Sequence, residues 1–417
     1  MRALLLMPAI GWLAASTTSA APSSHTRADA ESAFVAARFG EADRGYASIL
    51  TQHPRDTLAL VRRGQIALFS NRLADAGRLL EQARAAGATP IRTSALLGEV
   101  AYRQDDYAGA AALFQSTGHD AKSRKLASFA GVRPWRIEGP DSVSIPMIQA
   151  DPLPLISMSV NGKGPYFFLI DTGGGELALD PDLADTLGLE RFGEEMGTFA
   201  GGRKSAVVQS RVGSLTLGAL TIHDVPAGLL ETKKFSPIAF GRRVAGIVGT
   251  VFLYHFRATL DYPHARLVLV RRGSAAPATR AIEMPFWMAG DHYMVASGTV
   301  DSSGSKTWFV DSGMAGAAFT APASTLRDAG IPLPDTTKGI SGIGGGGSVH
   351  ASMFHVSRLT LGSAEASNLM GFFGVFPPTL ERAFGFQIDG LVSHAFLRAW
   401  SVTFDFERMR LVLEKPA

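Results

Sequence analysis

The sequence predicts a multidomain protein in which an all-α helical domain precedes an all-β domain made of two similar lobes. In the first part of the chain, apolar residues recur at helical spacing, and the pattern repeats at a fixed interval. In the rest, short runs of Val, Ile, Leu and Phe are bounded by Gly, Pro and Asp, as in β-strands. The 417 residues are 46% hydrophobic and 18% charged, which is enough apolar side chain for several cores. The predicted ranges are 1–20 for a signal peptide, 25–120 for the helical domain, 121–141 for a linker, 142–272 for the first lobe and 280–417 for the second lobe.

The segment 1–20 has the layout of a secretory signal peptide. Arg2 precedes an apolar stretch, and small residues end the segment at Ala20. A membrane anchor is the alternative, but Pro8 interrupts the stretch, which is shorter than the ~20 residues a span needs. We therefore expect an exported protein, periplasmic or secreted, with no stable membrane span. The chain has 0 Cys, which excludes thiol catalysis and thiolate metal sites.

The helical domain shows its repeat in three series of residues. Gly64 and Gly98 are small residues one repeat apart in the sequence. The same spacing separates successive members of a second small series and of a bulky series. The second small series is Ala42, Ala76 and Ala110, and the bulky series is Tyr46, Leu80 and Phe114. The pattern resembles tetratricopeptide repeats, which implies paired helices that can recruit a protein partner. An irregular helical bundle is the alternative. The polar range that follows, 121–141, reads as a linker.

The two predicted lobes share an acidic motif at the end of an apolar strand. The run over 166–173 ends in Asp171-Thr172-Gly173, and the run over 307–313 ends in Asp311-Ser312-Gly313. Each motif is followed by a predicted short helix with a proline near its first turn, over 180–187 and 321–329.

Further features recur in the same order after each acidic motif, which indicates that the two lobes arose by duplication. An apolar segment carrying Gly246 and Gly249 follows the first motif, and a similar segment carrying Gly390 follows the second at nearly the same distance. Each copy then closes with two strands around an acid, Asp261 in one and Asp405 in the other. We expect these two acids in hairpin turns, outside any site.

The paired motifs, with Gly246-Ile-Val-Gly249 downstream of the first, resemble retropepsin- and pepsin-type aspartic peptidases of a bacterial, single-chain duplicated form. The resemblance covers both predicted lobes. It implies an acid-protease fold in which Asp171 and Asp311 meet as a catalytic dyad. It also implies that Thr172 and Ser312 join the two loops, that Gly173 and Gly313 admit the acids, and that the glycine segments at Gly246, Gly249 and Gly390 support the loops.

Two adjacent carboxyl groups suit peptide hydrolysis because they cannot easily both ionise and so share one proton. The ionised member can activate water while the protonated member donates to the carbonyl oxygen. In this family a β-hairpin flap usually covers the cleft, and the candidates are 199–204 and 339–348. The second contains a G-x-G-x-x-G string over 342–347. Because a strand is expected after it, we prefer a hairpin tip to a dinucleotide site.

The expected activity is aspartic endopeptidase cleavage of a peptide or protein substrate, with no cofactor and no metal. A net charge of +3 without a Lys/Arg run argues against nucleic acid as a partner. Two alternatives remain: a non-catalytic peptide-binding scaffold with the same groove, and a homodimer in which the two loops pair between chains.

Overall fold

The computed structural model describes residues 26–274, 281–377 and 380–416. The predicted signal peptide lies outside these ranges, as do the predicted first residue of the helical domain, 25, and the predicted first and last residues of the second lobe, 280 and 417. Within the described ranges, no helix is long and apolar enough to cross a membrane.

The first described part of the chain, 27–127, is helical. Its helices are α1 (Arg27–Val35), α2 (Phe39–Gln52), α3 (Thr57–Phe69), α4 (Leu73–Ala85), α5 (Pro90–Arg103), α6 (Tyr107–Ser116) and α7 (Asp120–Ala127). A Cβ on Gly64 would lie 2.8 Å from the Leu80 side chain, and one on Gly98 would lie 3.3 Å from Phe114. The two pairs are related by the sequence repeat, so the period reflects contact of a small residue on one helix with a bulky residue on the next.

The range predicted as a linker, 121–141, instead contains most of α7 and the strand β1 (Arg136–Glu138). Its polar composition suggested a connector, but Lys125 is buried and hydrogen-bonded to the side chains of Glu176 and Gln209. Leu126 is also buried. The polar residues therefore belong to an interface between the helices and the β-rich part.

The remainder is β-rich. The strands are β2 (Ser142–Pro146), β3 (Leu155–Val160), β4 (Lys163–Ile170), β5 (Leu177–Leu179), β6 (Arg191–Thr198), β7 (Lys204–Leu217), β8 (Leu220–Leu229), β9 (Val244–Val248), β10 (Phe256–Asp261), β11 (Arg266–Arg271), β12 (Ile282–Pro285), β13 (Trp287–Ala289), β14 (Tyr293–Gly298), β15 (Lys306–Val310), β16 (Phe319–Thr320), β17 (Ile340–Gly344), β18 (Gly347–Leu361), β19 (Ala364–Phe373), β20 (Gly390–Val392), β21 (Ser401–Asp405) and β22 (Arg410–Glu414). Short helices lie between them: α8 (Pro181–Leu187), α9 (Thr250–Tyr254), α10 (Ala323–Asp328), α11 (Leu380–Phe384) and α12 (His394–Leu397).

The first sheet has the order β1-β8-β5-β9-β4-β3-β7-β6. Because β7 also pairs with β8, six of its strands close into a barrel. The strand that ends just before Asp171, β4, lies between β3 and the parallel strand β9. The acid therefore emerges from the middle of a buried sheet.

The second sheet has the order β13-β14-β15-β20-β16-β19-β18-β17. From β14 to β17 this order corresponds, strand for strand, to β3-β4-β9-β5-β8-β7-β6 of the first sheet. The parallel pairings correspond as well, with β4–β9 matching β15–β20 and β5–β8 matching β16–β19. Asp311 thus follows the equivalent strand of the second sheet.

A third sheet, called here the shared sheet, joins the two β regions in the order β12-β22-β21-β10-β11-β2. The antiparallel pair β10–β21 brings one strand from each region together. Asp261 ends β10 and Asp405 ends β21, each before a hairpin turn as predicted. There Asp261 accepts hydrogen bonds from Arg266 and Ser401, both at 2.6 Å.

The helical region packs on both β regions. In one cluster, Phe34, Phe39 and Phe69 surround Phe386 of the second β region, with the Phe39 and Phe386 ring centroids 5.0 Å apart. In another, Tyr102, Phe114 and Leu126 are continuous with the core of the β regions. The helices are therefore part of the same packed body as the sheets.

Candidate active site

The two aspartates are placed by the ends of parallel strands. Strand β4 ends at Ile170, and the backbone N–H of Asp171 donates to Val248 O at 3.0 Å, at the end of β9. Strand β15 ends at Val310, and the N–H of Asp311 donates to Val392 O at 3.0 Å, at the end of β20. The loops that carry the two acids thus start from the same backbone arrangement.

The predicted structural glycines sit where a side chain could not fit. A Cβ on Gly246 would lie 2.3 Å from the Phe168 ring, and one on Gly390 would lie 2.8 Å from the Phe319 ring. A Cβ on Gly249 would lie 2.2 Å from Gly175 O, in the loop that follows Asp171. These glycines let the loops and their neighbouring strands come into close contact.

Residues Thr172 and Ser312 join the two loops reciprocally. The N–H of Thr172 donates to Ser312 Oγ at 3.0 Å, and the N–H of Ser312 donates to Thr172 Oγ1 at 2.9 Å. Each hydroxyl also donates across the junction, from Thr172 Oγ1 to Val310 O at 3.2 Å and from Ser312 Oγ to Ile170 O at 3.4 Å. Both residues are fully buried, so these bonds are shielded from water.

The two carboxyl groups lie against each other's loops. The N–H of Gly173 donates to Asp171 Oδ1 at 2.8 Å, and the N–H of Gly313 donates to Asp311 Oδ1 at 2.7 Å. A Cβ on Gly173 would lie 2.4 Å from the carboxyl carbon of Asp311, and one on Gly313 would lie 2.2 Å from that of Asp171. Glycine is therefore the residue that admits the opposite acid at both positions, and both loops belong to a single chain.

The environment of the acids favours their protonated forms. Burial raises the pKa of Asp171. Burial, followed by the negative charge of Asp171, raises the pKa of Asp311 well above its ordinary value. Because two buried like charges repel, ionisation of both acids at once is disfavoured.

The structure brings the two predicted flap hairpins together at their tips. Strands β6 and β7 form one hairpin, β17 and β18 form the other, and a Cβ on Gly345 would lie 2.2 Å from the Phe199 ring. Arg203 Nε donates to Ser348 O at 3.0 Å, and Lys234 Nζ donates to Gly345 O at 2.7 Å. The two sheets therefore touch at the acids and again at the hairpin tips.

Several residues beside the acids carried no signal in the sequence. Glu176, in the loop that follows Asp171, accepts a hydrogen bond from Tyr102 Oη at 2.6 Å and pairs with Lys125. Asp291 lies beside the same loop, 3.2 Å from where a Cβ on Gly175 would be. These partners come from distant parts of the chain, and a sequence shows such pairings only when a repeated motif marks them.

The described residues contain no group of three or more His, Cys, Asp or Glu side chains placed to hold a metal ion. The two carboxyl groups can act as an acid and a base. An acid and a base held together can activate water and protonate a carbonyl oxygen without a covalent intermediate.

Comparison with known proteins bears on the first β region. Residues 156–252 match the aspartyl protease family model. The matched range includes Asp171, Thr172, Gly173, Gly246 and Gly249, and it ends before Asp311. The match supports a protease-type function. No curated protein matches the chain.

Proposed function

We propose that the chain is an aspartic endopeptidase of bacterial type that hydrolyses peptide bonds with water activated by Asp171 and Asp311. The observation that carries this proposal is the reciprocal placement of the acids, each carboxyl group lying against the glycine of the other loop. A groove that only held peptide would gain nothing from two buried like charges, because their burial and repulsion cost stability.

In the proposed reaction, the ionised member of the pair takes a proton from water as the water attacks the peptide carbonyl carbon. The protonated member donates its proton to the carbonyl oxygen, which forms a neutral tetrahedral intermediate. Breakdown of the intermediate breaks the C–N bond as the protonated carboxyl group gives its proton to the leaving nitrogen. The ionised carboxylate takes a proton from a hydroxyl group of the intermediate, so the dyad again holds one proton. The proton belongs to the pair, so neither Asp171 nor Asp311 is assigned as its permanent holder.

We also propose that the two β regions are duplicated lobes of an acid-protease fold within one chain. The matching strand order of the first and second sheets supports this proposal. The reciprocal bonds between Thr172 and Ser312 support pairing of the two loops without a second chain. Size-exclusion chromatography of active protein tests the homodimer alternative. If the site formed only between two chains, activity would be lost when dilution dissociates the dimer.

The helical region is proposed to consist of tetratricopeptide-like repeats that recruit a protein substrate or partner. A groove of about 500 Å³ between α2, α3 and α4 supports this role, with Leu50, Leu60 and Leu79 in its lining beside Arg55. We expect a folded or long substrate to be cut with a higher kcat/KM than a short peptide with the same cut sequence. Equal values would remove the recruiting role.

Protein that begins at Ala21, without the predicted signal peptide, should be incubated with an unfolded protein and a diverse peptide mixture from about pH 3 to 8. Asp171→Asn and Asp311→Asn should each abolish cleavage while the protein stays folded. Asp405→Asn is the matched control, since Asp405 is a buried acid at a hairpin turn of the shared sheet. This control should still cleave. A native protein that binds peptides without cutting them would support the scaffold alternative, and cleavage by either Asn variant would refute the dyad.

A further inference from the structure

The loop that carries Asp171 continues through three consecutive glycines, Gly173 to Gly175, before it reaches Glu176. Glycine has no side chain to pack, and it has more backbone freedom than any other residue. The loop after Asp311 differs because its third residue, Met314, packs against an apolar cluster, as do Tyr293 and Phe384. The first loop has no such side chain at its glycines. It is held by the N–H groups of Thr250 and Val251, which donate to Gly174 O and Gly175 O at 2.9 Å, and by the contacts of Glu176 at its far end.

The far end is held by the helical region. Glu176 Oε1 accepts a hydrogen bond from Tyr102 Oη at 2.6 Å, at the end of α5. Glu176 Oε2 accepts from the ammonium of Lys125 on α7, which also donates to Gln209 on β7. The side chain of Lys125 is 1% exposed and that of Glu176 is 13% exposed, so this ion pair is almost dry.

A second contact from the helical region reaches a turn that lies against the same loop. Arg103 donates to the carbonyl oxygen of Met288 at 2.6 Å and to that of Gly290, in the turn between β13 and β14. This turn continues into Asp291 and His292, which lie 3.2 Å and 3.3 Å from where a Cβ on Gly175 would be. Two sets of contacts from the helices therefore meet at the end of the glycine loop.

Stability alone does not account for this arrangement. A buried ion pair contributes little net stability, and well-packed apolar residues in its place are often neutral or better. Burial lowers the pKa of Lys125, against the pull of Glu176, so keeping the ammonium charged there has a cost. The polar contacts instead fix where the Glu176 side chain lies, at the end of the glycine loop.

We infer that Tyr102 and Lys125 are positioning residues for the dyad, and that they act through Glu176. On this inference, which rests on the proposed function, the helical region is a built-in part of the active site in addition to any recruiting role. The reactive geometry of Asp171 then depends on side chains of α5 and α7, which lie far from it in the sequence.

The test uses a matched pair of substitutions in the full chain. Tyr102→Phe removes the hydroxyl that holds Glu176 and keeps the ring, which is stacked on Tyr107 with centroids 5.3 Å apart. Tyr107→Phe removes a comparable buried hydroxyl, one that accepts a hydrogen bond from Trp135 Nε1 at 2.6 Å instead of donating to Glu176. We expect Tyr102→Phe to lower kcat about tenfold or more with KM changed less than about twofold. Tyr107→Phe should keep the native kcat at a similar melting temperature.

Amide hydrogen exchange over 171–177 provides a readout that does not need activity. Exchange in this loop should be faster in Tyr102→Phe than in the native protein and unchanged in Tyr107→Phe. In one outcome, the native protein cuts nothing while exchange is faster in Tyr102→Phe and unchanged in Tyr107→Phe. That result would support the positioning contact and refute the proposed function. Equal loss of kcat in both variants, or native kcat and native exchange in Tyr102→Phe, would overturn the inference.

Discussion

The interlock of Thr172 and Ser312 makes a strong prediction for Thr172→Val, a substitution of nearly equal shape. The change removes the acceptor of the Ser312 N–H bond at 2.9 Å and the donor of the bond to Val310 O at 3.2 Å. A buried hydrogen bond contributes about 1 kcal/mol, and a buried N–H left unpaired costs about 1–3 kcal/mol. Since both residues are fully buried, water cannot replace the lost partner. We expect the free energy of unfolding to fall by about 2–4 kcal/mol.

The assay is denaturation by urea, monitored by tryptophan fluorescence, and cleavage rates are measured on the same samples. Trp308 is fully buried on β15, just before the Asp311 loop, so it reports on this region. The control is Thr232→Val, because Thr232 is equally buried but its hydroxyl donates a single bond, to Val244 O at 3.1 Å. It should cost no more than about 1 kcal/mol and leave cleavage intact. If Thr172→Val is as stable and active as the control, the two loops are not held by these bonds.

Two further predictions concern the acids and the hairpin tips. Burial, joined at Asp311 by the charge of Asp171, raises the pKa of both acids, so the folded protein loses stability as the pH rises from about 4 through the raised pKa values. Asp311→Asn should therefore melt higher than the native protein by a margin that widens with pH, and a constant margin would contradict this reasoning. Gly345→Ala should separate the hairpin tips, because its Cβ would lie 2.2 Å from the Phe199 ring. Faster amide exchange over 199–203 is expected, with Gly304→Ala as the control because its Cβ would meet nothing within 4 Å; native exchange in Gly345→Ala would argue against the contact.

Much of the local structure could be predicted because repeated motifs mark it. The apolar runs before Asp171 and Asp311 are strands that end one residue before each acid. The helix expected over 180–187 is α8, which begins one residue later, at Pro181, and is capped by Asp180. The glycine-rich range 339–348 contains a hairpin turn followed by the long strand β18, in agreement with the preference for a hairpin tip over a nucleotide site.

The support of the site could not be predicted because it depends on which surfaces meet. Lys125 stands in a polar stretch, and polar stretches usually face solvent. Its burial follows from α7 packing against β6 and β7, a long-range contact with no local pattern. The same holds for Arg103, whose main-chain partners at Met288 and Gly290 carry no side-chain signature in the sequence. Composition therefore misassigned the range 121–141 as a linker.

The shared sheet has a mechanical consequence for how a substrate could enter. Its strands β10 and β21 tie the two β regions together, and the β10–β11 turn begins with Tyr262. Burial raises the pKa of Tyr262, and the charges of Asp311 and Asp171 act in the same direction against the opposing effect of Ser312. We expect a swing of one region against the other to pivot at the shared sheet and to part the hairpin tips. The reciprocal bonds between Thr172 and Ser312 would hold the two acid loops together during that swing, so a bulky chain could enter without separating the carboxyl groups.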